Sequence, residues 1–174
     1  MATNIQPLVD QLTATALTDK AYKASDSLAR IGSGEVIRAM IALLQHPNPE
    51  SRIMAARTLG MAADNGVALE PLLEAVNNPE NKAIAGDLFM ALEGFDVSEH
   101  YLDLFKLYLF GSFKVSAIAK NLLDYKEFDI TPRVIKKAQK HWNHYANNVK
   151  QDESYELKKS EVEDILNDLR AYLE

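Results

Sequence analysis

Several sets of side chains in this sequence have types and spacings that could do chemistry. Arg133, Lys136, Lys137, Lys140 and His144 recur at helical intervals, which gathers them on one face of a helix. Such a face can hold an acidic or phosphate-bearing partner. Its plainer use is a solvated face, or charge pairing with the acidic segment that follows. His141 and His144 stand three apart and could share a metal, but no third ligand is marked nearby and the intervening Trp142 suggests packing. Asp87, Asp103 and Asp124 lie in or near expected helices as possible catalytic carboxylates, and nothing around them commits the chain to catalysis. Arg52 and Arg57 are expected to snorkel from the surface, or to pair with Glu50 or Asp87 in adjacent hairpins. The remaining candidate is apolar: Leu102 and Leu109, with Lys106 between them.

The elements that position these residues all read at helical period. A first helix is expected over about Asn4 to Leu17, with Ile5, Leu8, Val9, Leu12 and Ala16 on one face. Thr18 caps a helix from Asp19 to Ile31, and Gly32 ends it because it accepts the left-handed conformation. Ser33 starts the next helix. Asn48 then caps a helix with Pro49 at its first position, where the missing N–H loses no bond. That helix runs to Leu59 and is expected to close at Gly60. The tripeptide Asn-Pro-Glu returns as Asn78-Pro79-Glu80.

The helices between these turns also recur. Ile37, Met40, Ile41 and Leu44 align with Leu69, Leu72, Leu73 and Val76, and these with Tyr101, Leu104, Phe105 and Tyr108. Ile53, Ala55, Ala56 and Leu59 resemble Ile84, Ala85, Gly86 and Phe89, then Val115, Ala117, Ala119 and Leu122. One helical hairpin cannot bury its own apolar face, so a repeat of this length implies stacked hairpins. Thr131-Pro132 opens a further helix to about Val149. A last amphipathic helix carries Val162, Ile165, Leu166, Leu169, Tyr172 and Leu173, with a capping box at Ser160 and Glu163.

The segments Asn48-Pro49-Glu50-Ser51-Arg52 and Ala55-Ala56-Arg57-Thr58-Leu59-Gly60 resemble short HEAT-like repeats, similar to those of the phycobilisome lyase group. The resemblance covers Asp19 to Phe110 and extends weakly to Tyr125. The family pattern prefers an aliphatic residue where Ser51 stands, and the third repeat has Lys82-Ala83 where that pattern has its Arg. The resemblance implies an all-α, right-handed αα superhelix of about four hairpins. It implies a single domain over 1–174, with a capping helix at 1–18, repeats at 19–125 and C-terminal helices at 130–174. It implies a non-enzymatic scaffold that binds another protein on its concave face, lined by the second helix of each hairpin. Some relatives handle bilin chromophores and a DNA-glycosylase family has a related fold, which gives two alternatives. With the helices of the 32-residue alignment taken as second helices, their outward positions form a ladder. The ladder runs Arg38, Glu70 and Leu102, then Ala42, Glu74 and Lys106, then Gln45, Asn77 and Leu109.

Burying a Leu is worth about 1.5–3 kcal/mol, so two outward Leu on one helix want a cover. The C-terminal helix within the chain, or a groove of the partner, could supply it. The candidate partner-binding residues are therefore Leu102, Lys106, Leu109, Arg133, Lys136, Lys137 and Lys140. No cofactor and no metal is expected. The 174 residues carry a net charge of −6 and no Cys, which removes disulfides and thiolate chemistry. Residues 130–150 hold five bases and no acid, and residues 151–174 hold eight acids and three bases. An acidic chain with one basic segment argues against general nucleic-acid binding. There is no signal-peptide pattern at the start and no run long enough to span a membrane, so a cytoplasmic monomer or homodimer is expected.

Overall fold

The structure is a computed structural model and describes residues 4–14 and 16–173. Among the described residues it is helical, without a strand: α1 (Gln6–Leu12), α2 (Asp19–Ile31), α3 (Gly34–Leu43), α4 (Pro49–Met61), α5 (Leu69–Asn77), α6 (Ala85–Phe89), α7 (Tyr101–Phe110), α8 (Phe113–Tyr125), α9 (Pro132–Asn148) and α10 (Glu153–Ala171). They form an αα superhelix of hairpins. The chain divides into two compact units, Met1–Asp96 and Val97–Glu174. The boundary falls inside the stretch that the repeat pattern reads as one continuous run.

Most helix ends follow their local signals. Gly32 has φ 54° and accepts the left-handed turn after α2. Ser33, Asn48, Ser112 and Thr131 each accept a bond from a first-turn amide. Thr18 occupies the cap position of α2 without a side-chain bond. The N-terminal helix is shorter than expected: α1 ends at Leu12, and Ala16 is exposed. Part of the expected 1–18 helix lies outside the described residues.

In the first unit, α1 packs on α2, α3 on α4 and α5 on α6. The helices α3 and α5 are thus first in their hairpins, not second, which corrects the expected pairing. The α2, α4 and α6 helices also pack on one another in succession, with the tight turn Met90–Gly94 against α4. A stack bends toward the row whose members approach most closely, so these form the inner row.

Two glycines permit that approach. A Cβ on Gly94 would lie 1.6 Å from the Gly60 carbonyl oxygen, and one on Gly60 would lie 2.6 Å from the Ala91 oxygen. Gly60 therefore does not close α4, which continues to Met61; it lets two backbones touch. Asn65 locks the contact by donating to the Leu59 and Gly94 carbonyls at 2.9 and 3.0 Å.

The third inner helix is broken where a continuous one is expected. Asn78 caps only a short turn, Pro79–Asn81, before α6 begins at Ala85. Asn81, which aligns with Ser51, is buried and donates to the Ala75 carbonyl at 2.8 Å. A side chain that bonds local backbone competes with helix. Ser51 keeps α4 regular, and its buried hydroxyl has no partner among the described residues.

In the second unit α7 pairs with α8, α9 packs on α7, and α10 packs on α9. Tyr101, Leu104, Phe105, Tyr108 and Leu109 are buried. Trp142 stacks between Tyr145 and Tyr155, at 5.6 and 5.8 Å between ring centroids. Lys158 ties α10 to the hairpin: its Nζ donates to the Tyr108 carbonyl at 2.8 Å and to Ser116 Oγ at 3.0 Å, over the Tyr108 ring. Burial lowers the Lys158 pKa, against an opposing pull from Glu161. Burial raises the Tyr108 pKa, helped by the bond its hydroxyl donates to Glu161.

Candidate functional site

A groove of about 460 Å³ opens on the inner row of the first unit. Its apolar wall is Ile53, Met61, Met90 and Ala91, with Gly60 and Gly94 at the floor where the backbones meet. Met61 is 48% exposed and Met90 58% exposed, so both thioethers face the opening. Methionine side chains adapt to apolar surfaces of varied shape. Arg57, Asp87 and Glu93 stand at the rim.

Arg57 is held from behind. Its Nη1 contacts Asp26 and Ser25 Oγ, both at 2.8 Å, and its guanidinium lies 5.3 Å from the Tyr22 ring centroid. The buried Thr58 hydroxyl donates to the Met54 carbonyl at 2.8 Å, so Ser25 must donate to Thr58. This chain fixes α2 against α4 and sets the direction of Arg57. Its Nη2 and Nε have no partner among the described residues, which leaves donors for an acceptor in the groove. Arg52 turns instead to Asn81 Oδ1, at 2.6 Å. The groove thus combines an apolar slot with a pre-oriented guanidinium.

Of the side chains singled out in the sequence for chemistry, Arg57 and Asp87 line the groove and the others fall elsewhere. The ladder positions of α3 and the turn after it (Arg38, Ala42 and Gln45) and of α5 (Glu70, Glu74 and Asn77) are exposed, as the register requires. In α7 the register holds but the surroundings change. Leu102 is half-buried, Lys106 is exposed, and Leu109 is buried at 3% because α9 lies against this helix. Leu109 is core and does not face a partner, which corrects its outward placement. Within the chain α9 packs along α7, and the last helix reaches it at Tyr108 through Lys158 and Glu161.

Arg133, Lys136, Lys137 and Lys140 are exposed on α9. They make no ion pair among the described residues, so the expected pairing with the acidic last helix does not form. Lys106, Lys137 and Lys140 gather near His141. Its pKa is lowered by burial and then by Lys106, Lys140, His144 and Lys137. His144 lies 5.9 Å from the Phe110 ring. No group of three potential metal ligands occurs among the described residues.

Asp103 contacts His100 and Lys106, and Asp124 contacts Lys120. Only Asp87 of the three carboxylates reaches the groove. Met61 and Met90 are not visible as neighbours in the sequence, because the expected pairing of hairpins is one helix out of step and the turn at Met90–Gly94 has no counterpart in the aligned helices. The available signal was the glycine pair, Gly60 and Gly94, each beside an apolar face.

The profile of the HEAT-repeat family, described as HEAT repeats, matches residues 5–93. No curated protein matches the chain. The matched span contains every residue of the groove except Gly94. Among the described residues, no helix is long and apolar enough to cross a membrane.

Proposed function

The chain belongs to the HEAT-repeat family, and from that premise we propose that it is a non-enzymatic scaffold whose inner-row groove binds another protein. Repeats of this family commonly serve as protein-interaction scaffolds and typically work without catalysis. The observation that carries the reading is the groove itself, with exposed Met61 and Met90 beside a guanidinium whose Nη2 and Nε have no partner among the described residues. The partner segment presents an apolar side chain to the methionines and a carboxylate or carbonyl oxygen to Arg57. Lost water around exposed thioethers supplies affinity, and the charge-assisted bond supplies orientation.

A peptide library displayed on phage and selected on the intact chain tests this. Selected peptides are expected to share an apolar residue and a nearby acceptor. They should lose at least tenfold in affinity for Met90→Asp, whose circular dichroism and melting stay as in the parent. Peptides that bind Met90→Asp and Arg57→Gln as well as the parent would sink the reading.

A further inference from the structure

The face shared by α9 and α10 carries a charge pattern that, Arg170 apart, makes no side-chain contact among the described residues. Arg170 Nη2 donates to Gln139 at 2.8 Å, and Trp142 stacks on Tyr155. The start of α9 therefore lies beside the end of α10, and the far half of α9 beside its start. Lys136, Lys140, Asn143 and Asn147 form one exposed stripe of α9. Glu156, Ser160, Glu163, Asn167 and Arg170 form one exposed stripe of α10. The Arg170–Gln139 bond turns the α10 stripe toward α9, so the two stripes share a face.

Along that face one end is cationic, with Arg133, Lys136 and Arg170, and the other is acidic, with Glu153 and Glu156. Lys140 and Glu163 lie between. Among the described residues, Arg133, Lys136, Lys140, Glu153, Glu156 and Glu163 make no ion pair and no side-chain hydrogen bond. The ends, fourteen residues apart on α10, are separated by about 21 Å. That exceeds the ~10 Å screening length at 0.1 M salt, so they act as separate charges. The cationic end also holds a groove of about 380 Å³ lined by Pro132, Ile135, Lys136, Gln139, Arg170 and Leu173.

We propose that this face binds a second copy of the same chain about a twofold axis through its middle. The axis reverses the face, so the cationic end of each copy meets the acidic end of the other, and the match is made twice. A uniformly acidic protein or a nucleic acid fits less well, because Glu153, Glu156 and Glu163 on the same face repel it. The surface is largely polar, so the dimer is salt-sensitive.

Light scattering of the intact chain over a concentration series, at about 0.05 M and about 0.5 M salt, is the test. The dimer should form at low salt, and its dissociation constant should rise at least tenfold at high salt. Lys136→Glu with Lys140→Glu should be monomeric, as should Glu156→Lys with Glu163→Lys. These positions are exposed, so circular dichroism should be unchanged. An equimolar mixture of the two variants should restore the dimer, because both opposed pairs become attractive again. A parent that stays monomeric at low salt, a dimer that ignores salt or the reversals, or a mixture that stays monomeric would each overturn the proposal. Tight binding of heparin by a monomeric parent would do so as well, in favour of a foreign polyanion.

Discussion

The helices α5 and α7 share one apolar template and differ in what lies over them. In α5, Leu69, Leu72, Leu73 and Val76 are buried while Glu70, Glu74 and Asn77 face out. In α7, Tyr101, Leu104, Phe105 and Tyr108 take the same inward places, yet Leu109, at the position of Asn77, is buried too. The difference is the C-terminal pair: α9 packs on α7 and α10 reaches it at Tyr108, and among the described residues no such cover is seen on α5. A repeat template fixes which face is inward. A covering element decides how much of the rest becomes core, and the side chains change with it. The inner row adds the converse lesson: where helices approach most closely the side chains shrink to glycine, and the methionines beside them stay at the surface.

The comparison can be broken most forcefully at the glycine contact. Gly94→Ala places a Cβ on the Gly60 carbonyl, and its cost should exceed the about 1–3 kcal/mol usual for overpacking. Urea unfolding followed by far-UV circular dichroism measures it, and a loss under about 1 kcal/mol would mean the backbones can separate freely. Next in size is Leu109→Ala, expected to cost about 2–5 kcal/mol, against at most about 0.5 kcal/mol for Gln45→Ala at the matching exposed position. Trp142, the single tryptophan, lies in the second unit and reports that unfolding by fluorescence. Equal costs at the two positions would remove the role given to the C-terminal pair.

Smaller effects sharpen the same contrast. Ser51→Ala should raise stability by about 1 kcal/mol, because a buried hydroxyl without a partner is replaced by a methyl group. A loss of that size would mean the hydroxyl is bonded. The second unit should also lose stability as pH rises above about 10. Burial raises the pKa of Tyr101 and Tyr108 above the ordinary 10.0, so the folded chain keeps protons that the unfolded chain releases. Melting followed by Trp142 should show the fall, and Tyr108→Phe should flatten it. Smallest of all, Met90→Asp should change stability by at most about 0.5 kcal/mol.

Much of the fold is legible in the sequence because it is local. Gly32, Ser33, Asn48-Pro49 and Thr131-Pro132 punctuate helices through bonds made within one turn, and those boundaries are where expected. The pairing of helices into hairpins is not local, and the i, i+3, i+4, i+7 template of α3, α5 and α7 is silent on it. The break after Asn78 was hidden because Asn81 needs the Ala75 carbonyl and the Arg52 guanidinium to express its preference. The groove was illegible for the same reason: Met61 and Met90 become neighbours only when Gly60 meets Gly94. On α9 the cationic face was legible, and the absence of its pairing with α10 was not, because the facing stripes depend on the angle between two helices.

Methyl-labelled methionine resonances give the most direct measurement of where the partner sits. A peptide selected on the intact chain is titrated into protein labelled at the methionine methyl groups. The signals of Met61 and Met90 should shift, with a common affinity. Those of Met40 and Met54, fully buried in the same unit, should stay in place. Binding that leaves Met61 and Met90 unmoved would contradict the assignment of the inner-row groove as the partner surface.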